Sequence, residues 1–149
     1  LIGVEKVYWG GLHDTEIAVD RALIQQIEQV VREVDPQVIF VHYPDDTHQD
    51  HRNLATCVVT AARYTRNVLF YEGPTTQNFS PTVFMDIDQV LEEKLEALCA
   101  HRSQIKKTNI EKLTIVDIIR ASSHFRGIQG RVTNAEAFAP LRMFVTVNP

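Results

Sequence analysis

Apolar residues recur at two different periods along this chain, and each change of period marks a new element. From Glu16 to Val34 the apolar positions Val19, Leu23, Ile27, Val30 and Val34 follow helical spacing, which predicts an amphipathic helix. Asp14 or Thr15 can cap its start, and Asp35-Pro36 stops it. The run QVIFVHY (37–43) is continuous and β-branched, the pattern of a strand buried on both faces. A second helical pattern covers residues 51–65, with Leu54, Val58, Ala61 and Ala62 in one stripe, and NVLFYE (67–72) predicts another strand. A short strand is expected at 5–9 (EKVYW), with GGLHD as the turn behind it. The first half therefore reads β-α-β-α-β, which points to a parallel sheet with crossover helices.

Beyond the loop GPTTQNFSP, TVFMDI (82–87) predicts a further strand. DQVLEEKLEALCAHRS (88–103) is an amphipathic helix with Val90, Leu91, Leu95, Leu98 and Cys99 on one face. Residues 111–126 predict another helix, buried through Leu113, Val116, Ile118 and Ile119, whereas AEAFAPLRMFV fits a short helix or a strand equally. No repeat, low-complexity tract or linker interrupts residues 1–149, so a single domain is expected.

Composition narrows the class. The 149 residues are 44% hydrophobic and 23% charged, ordinary for a soluble globular protein. A net charge of −4 lacks the basic face that a nucleic-acid partner needs. Cys57 and Cys99 are too few for a disulfide framework; both sit in apolar periodic stretches and are expected to be buried thiols in a reducing, cytoplasmic setting. No apolar run reaches the roughly 20 residues that span a bilayer, so no membrane partner is expected. No signal-peptide pattern opens the chain, and LIGVEKV reads as a polypeptide entered partway through.

The chemistry concentrates in HYPDDTHQDHRNLA (42–55), which puts three histidines and three aspartates between His42 and His51. It follows a predicted strand, and ligands of open α/β sheets gather at the carboxyl ends of strands. His51 could offer a ring nitrogen to zinc. His48, once charged, could stabilise a tetrahedral oxyanion or protonate a leaving amine, with Asp50 holding its ring. The plainer reading is a helix start, with Thr47 and Asp50 as a capping box or Asp50 as the cap. Both readings stand on spacing alone. A catalytic zinc takes about three protein ligands, and the loop offers one convincing donor. His13 and Asp14 lie at the same sheet edge, although a helix cap explains Asp14 more simply.

Several ordered blocks resemble the PIG-L/LmbE-type zinc de-N-acetylases: GGLHDTEI, PDDTHQDHRNLA, YEGPTTQNFSPTVFMDI, KLEALCAHRSQ and RGIQGRVTNAEAFAPLRMFV. Gln49 stands where the family's His-Pro-Asp-His signature has proline, and Asn134 where tyrosine is frequent. The resemblance implies an α/β, Rossmann-like three-layer domain with a mostly parallel sheet. It also implies zinc, or another divalent cation, as cofactor. His51 would be a metal ligand, His48 the group that stabilises the tetrahedral intermediate or acts as general acid, and Asp50 its orienting partner. Asp14 would bind a sugar hydroxyl, while His101 is expected to serve packing. The implied substrate is a small N-acetylated sugar of the N-acetylglucosamine type, and the implied assembly a homo-oligomer.

One departure is large. The family carries an Ala-His-Pro-Asp-Asp-Glu-like motif after its first strand, supplying two metal ligands and the general base, and residues 1–40 hold no match. The chain is therefore expected to lack the family's first strand and helix, and to be inactive alone. A non-catalytic carbohydrate-binding or interaction module of the same fold is the rival reading. A nucleotide-binding domain ranks below both, because no G-x-G-x-x-G or P-loop pattern follows any strand.

Overall fold

Helix α1 (Arg21–Val34) begins later than its apolar period suggests, because Asp20 caps it rather than Asp14 or Thr15. The Asp20 carboxylate accepts the Leu23 N–H at 2.8 Å, a contact that contributes about 1 kcal/mol. Thr15 has φ 70°, so it cannot be the first helical residue behind an Asp14 cap, and residues 16–19 are not helical. The far end stops as expected: Asp35 turns left-handed at φ 45° and Pro36 follows. The computed structural model describes residues 2–101 and 110–147. Residues 5–9 form no strand, and Val7 and Trp9 are exposed. No neighbouring strand among the described residues completes a hydrogen-bond ladder there, and an unpaired strand is not stable by itself.

Strand β1 (Val38–His42) leads through α2 (Gln49–Ala61) to β2 (Asn67–Tyr71), and the two strands pair in parallel from Val38↔Asn67 to His42↔Tyr71. After β3 (Val83–Asp86), α3 (Leu91–Ala100) and α4 (Ile115–Gly130), strand β4 (Ala135–Arg142) pairs antiparallel with β2. The sheet order is β1-β2-β4-β3. The fold is α/β with a mixed sheet, parallel at β1–β2 and antiparallel at β2–β4, rather than mostly parallel. AEAFAPLRMFV resolves into strand β4, with Met143 and Phe144 beyond it.

Contacts divide the chain into two compact units. The first comprises Tyr8–Val83 with Phe138–Pro149. Its core gathers Val41, Ala55, Val58, Ala62, Val68 and Phe70; of the predicted α2 stripe, Val58 and Ala62 are among them and Leu54 packs against the cluster half-buried. The expectation that β1 is buried on both faces fails: Val41 is buried, whereas Val38 and Phe40 are 38% and 48% exposed. β1 is the edge strand, and only its Ile39–Val41 side packs into the core.

The second unit comprises Leu1–Val7 with Phe84–Ala137, and Ile87, Leu91 and Leu95 pack there against Val116 and Ile119. Thr114 and Asp117 form a capping box that starts α4 after Leu113, leaving Leu113 exposed. Val90 and Cys99 are exposed as well, correcting the face assigned to α3 and the expectation that both thiols are buried; Cys57 is buried. Residues 102 and 103 of the predicted helix lie outside the described residues. Gly127 is required where α4 meets the turn into β4, since a Cβ there would collide with the Thr133 carbonyl. No helix among the described residues is long and apolar enough to cross a membrane.

Candidate functional site

The carboxyl end of β1 delivers His42, and the polar loop behind it runs directly into α2. His48 is the helix cap, with extended backbone (φ −80°, ψ 120°), and its Nδ1 accepts the Asp50 N–H at 3.2 Å. Thr47, expected to cap, instead donates its hydroxyl to the Thr75 carbonyl. Because His48 Nδ1 is an acceptor, the ring hydrogen belongs on Nε2. That Nε2 lies 3.7 Å from Asp14 Oδ1, and the Asp14 side chain is 87% exposed.

Asp50 is buried, and its carboxylate points to the segment carrying Asp14. Its Oδ2 accepts the Thr15 N–H at 2.6 Å and its Oδ1 the Ile17 N–H at 3.2 Å. Asn53 adds a bond from Nδ2 to the Ile17 carbonyl at 2.7 Å, and Gln49 donates to the Thr15 carbonyl. The opening turns of α2 thus clamp residues 15–17 and set down Asp14 beside His48. Asp50 reaches His48 through its backbone amide, while its carboxylate bonds the segment ahead of α1.

His51 sits in a stack of three imidazoles. Its ring lies 3.9 Å from that of His42, at 15° between planes, and 4.6 Å from that of His48, at 19°. His51 Nδ1 is 3.2 Å from Asp46 Oδ2, but the buried nitrogen has no well-aligned hydrogen bond, so the contact is primarily electrostatic. Asp46 is itself buried, accepting the His48 N–H at 2.8 Å and the Thr76 hydroxyl at 3.0 Å. Burial alone would push the Asp46 carboxyl up, but the hydrogen bonds from the His48 amide, Thr75, His51 and Thr76 together outweigh it and hold it at about 2. Tyr71, on the paired strand, puts its hydroxyl 3.2 Å from the His42 ring nitrogens.

His42, Asp46 and Tyr71 receive no role from the sequence alone. The available signals are a histidine closing an apolar strand run and a carboxylate five residues before His51. Among the described residues, Asp14, His48 and Asp50 bring donor atoms within 4.8 Å of one another, while exposed His13 is not in that group. His101 caps the end of α3 and is exposed, so the expected packing role does not hold. His51 is not in the group of Asp14, His48 and Asp50, and it offers a metal one imidazole donor. A carboxylate facing Nδ1 favours the Nδ1–H tautomer and leaves the Nε2 lone pair for a cation.

Burial, reinforced by His51 and His48, lowers His42 from 6.5 to about 4 despite the opposing Asp46. A depressed value means that stability from this site is complete above pH 6.5 and is lost as pH falls toward 4. In the metal-free protein, urea midpoints should fall across that window, by up to about 3 kcal/mol in unfolding free energy. His42→Gln should flatten this limb. An unchanged slope in the variant would show that another group controls it.

Stacked histidines and buried carboxylates thus form a polar site at the carboxyl end of β1 in an α/β fold. Comparisons agree with that class. The family model described as PIG-L, GlcNAc-PI de-N-acetylase, matches residues 1–62. The probable N-acetyl-alpha-D-glucosaminyl L-malate deacetylase 2 of Bacillus cereus is 30% identical over 114 residues, covering 69% of this chain and 52% of its own. These matches support assigning the chain to the PIG-L/LmbE family. The chain spans about half the length of that curated relative. Two solved structures share the fold at a TM-score of 0.79. The conserved protein TT1542 of Thermus thermophilus is 22% identical, over 92% of this chain and 66% of its own. The N,N'-diacetylchitobiose deacetylase of Pyrococcus horikoshii, complexed with its inhibitor, is 23% identical over 93% and 58%.

Proposed function

We propose that this chain is part of a metal-dependent amidohydrolase that removes the acetyl group from an N-acetylglucosamine-type sugar or glycoconjugate. The observation that carries the reading is the state of His48. Its Nδ1 is engaged by the Asp50 amide and its Nε2–H is directed to the neighbourhood of exposed Asp14. An imidazole held this way has one hydrogen to offer, at a fixed position, either to a developing oxyanion or, once charged, to a departing amine. Asp14 accepts a sugar hydroxyl at the rim, on a segment fixed by the Asp50 clamp. His51 would hold the cation through Nε2. Zinc, when bound, would polarise the acetyl carbonyl and lower the pKa of its water.

The test is direct. The full-length protein, purified with its metal, should contain one zinc per polypeptide by mass spectrometry and release acetate from N-acetylglucosaminyl substrates. Release of acetate without a divalent cation would overturn the metal assignment. Sugar binding with no acetate release would turn the reading toward a carbohydrate-binding module of the same fold.

A further inference from the structure

Asp46 carries a fully buried carboxylate side chain, although the loop around it is partly open to solvent. Burying a carboxylate costs several kcal/mol unless donors surround it. The structure supplies two hydrogen bonds, from the His48 backbone N–H and the Thr76 hydroxyl, and sets the His51 ring on a third side with Nδ1 3.2 Å from Oδ2. The first two are loop anchors that a neutral side chain could satisfy. The third partner is different, because an imidazole facing a carboxylate is biased toward one tautomer.

We propose that Asp46 is the positioning residue for the metal ligand His51, holding Nδ1 as the protonated nitrogen so that Nε2 is left for the cation. The inference rests on the metal-dependent reading of the site. Stacking and charge act together here. The His42 and His48 rings flank His51 on both sides, restricting its tilt, while Asp46 decides which ring nitrogen carries hydrogen. Asp46 is itself held by a hydrogen-bond network between the loops that follow β1 and β2. Thr47 N donates to the Thr75 carbonyl at 3.0 Å, Gln77 N to the Asp45 carbonyl at 2.8 Å, and Gly73 N to the Thr76 hydroxyl at 2.9 Å. Arg52 adds Nη1 bonds to the Asp46 and Thr47 carbonyls at 2.6 and 2.9 Å. The loop after β2 thereby supports a ligand on α2 without reaching it directly.

The experiment is a cobalt(II) titration of the metal-free full-length protein, followed by visible absorption, for wild type, Asp46→Asn and His51→Ala. Asp46→Asn should bind cobalt roughly 10–100-fold more weakly, with shifted ligand-field bands, while His51→Ala loses those bands. A parallel measurement needs no substitution: imidazole ¹⁵N shifts of metal-free wild type should show His51 as the Nδ1–H tautomer. Cobalt binding by Asp46→Asn with wild-type affinity and spectrum would overturn the inference, as would an Nε2–H tautomer at His51. Should Asp46→Asn fail to fold, the tautomer decides alone. Wild type taking up no cobalt would sink the metal-dependent reading itself, and this inference with it.

Discussion

Replacing His48 with alanine in the full-length protein is expected to lower kcat by roughly 10²–10³-fold while leaving metal content near the wild-type level. Replacing His51 is expected to remove metal and activity together. The difference follows from how each ring is held. His48 Nδ1 is engaged by the Asp50 amide, so its free nitrogen carries hydrogen and can donate. His51 has its buried Nδ1 beside Asp46, so its other nitrogen can act as a donor of electrons. Loss of the His48 ring takes away stabilisation realised in the transition state, which lowers kcat rather than raising KM. Metal analysis of the two purified variants, with steady-state kinetics, separates the roles. Equal metal content in both would dissolve the distinction between them. The rings also touch, at 4.6 Å between centroids, so the two substitutions are expected to be non-additive when combined.

Much of this arrangement is legible in the chain, and what escapes has physical causes. The apolar stripe of α2 and the runs that form β1 and β2 are readable, because burial imposes a period and these elements bury most of the core. The loop between β1 and α2 stands out by composition, and His48, Asp50, His51 and Asp14 do gather there. The start of α1 is ambiguous because Asp14, Thr15 and Asp20 all have capping side chains, and only the folded chain shows that Asp20 makes the capping bond. EKVYW has strand propensity but no ladder partner, which a local pattern cannot reveal. Thr47 gives a capping-box match, yet His48 does the capping, since an imidazole nitrogen accepts an amide hydrogen as a hydroxyl oxygen does. Asp46 is invisible for a different reason. Its importance lies in partners from two separate loops, one of them more than two dozen residues away.

Asp50 gives the second large effect, and it distinguishes two ways of acting. Its carboxylate accepts two backbone N–H groups, from Thr15 and Ile17, and is buried while doing so. Removing an ionised acceptor from buried donors costs about 1.5–3 kcal/mol per bond, so Asp50→Ala should reduce stability by about 3 kcal/mol or more. Asp50→Asn keeps one carbonyl acceptor and should cost about half as much. In both variants the residue 50 amide still donates to His48 Nδ1, so the His48 tautomer is retained. The segment carrying Asp14 loses its clamp instead. Asp50→Asn is therefore expected to raise KM through a misplaced Asp14 and to lower kcat far less than His48→Ala does. Urea unfolding measures the first effect and steady-state kinetics the second. If KM stays constant while kcat falls as far as in His48→Ala, the carboxylate acts on the His48 ring through its charge, and the clamp is incidental to catalysis.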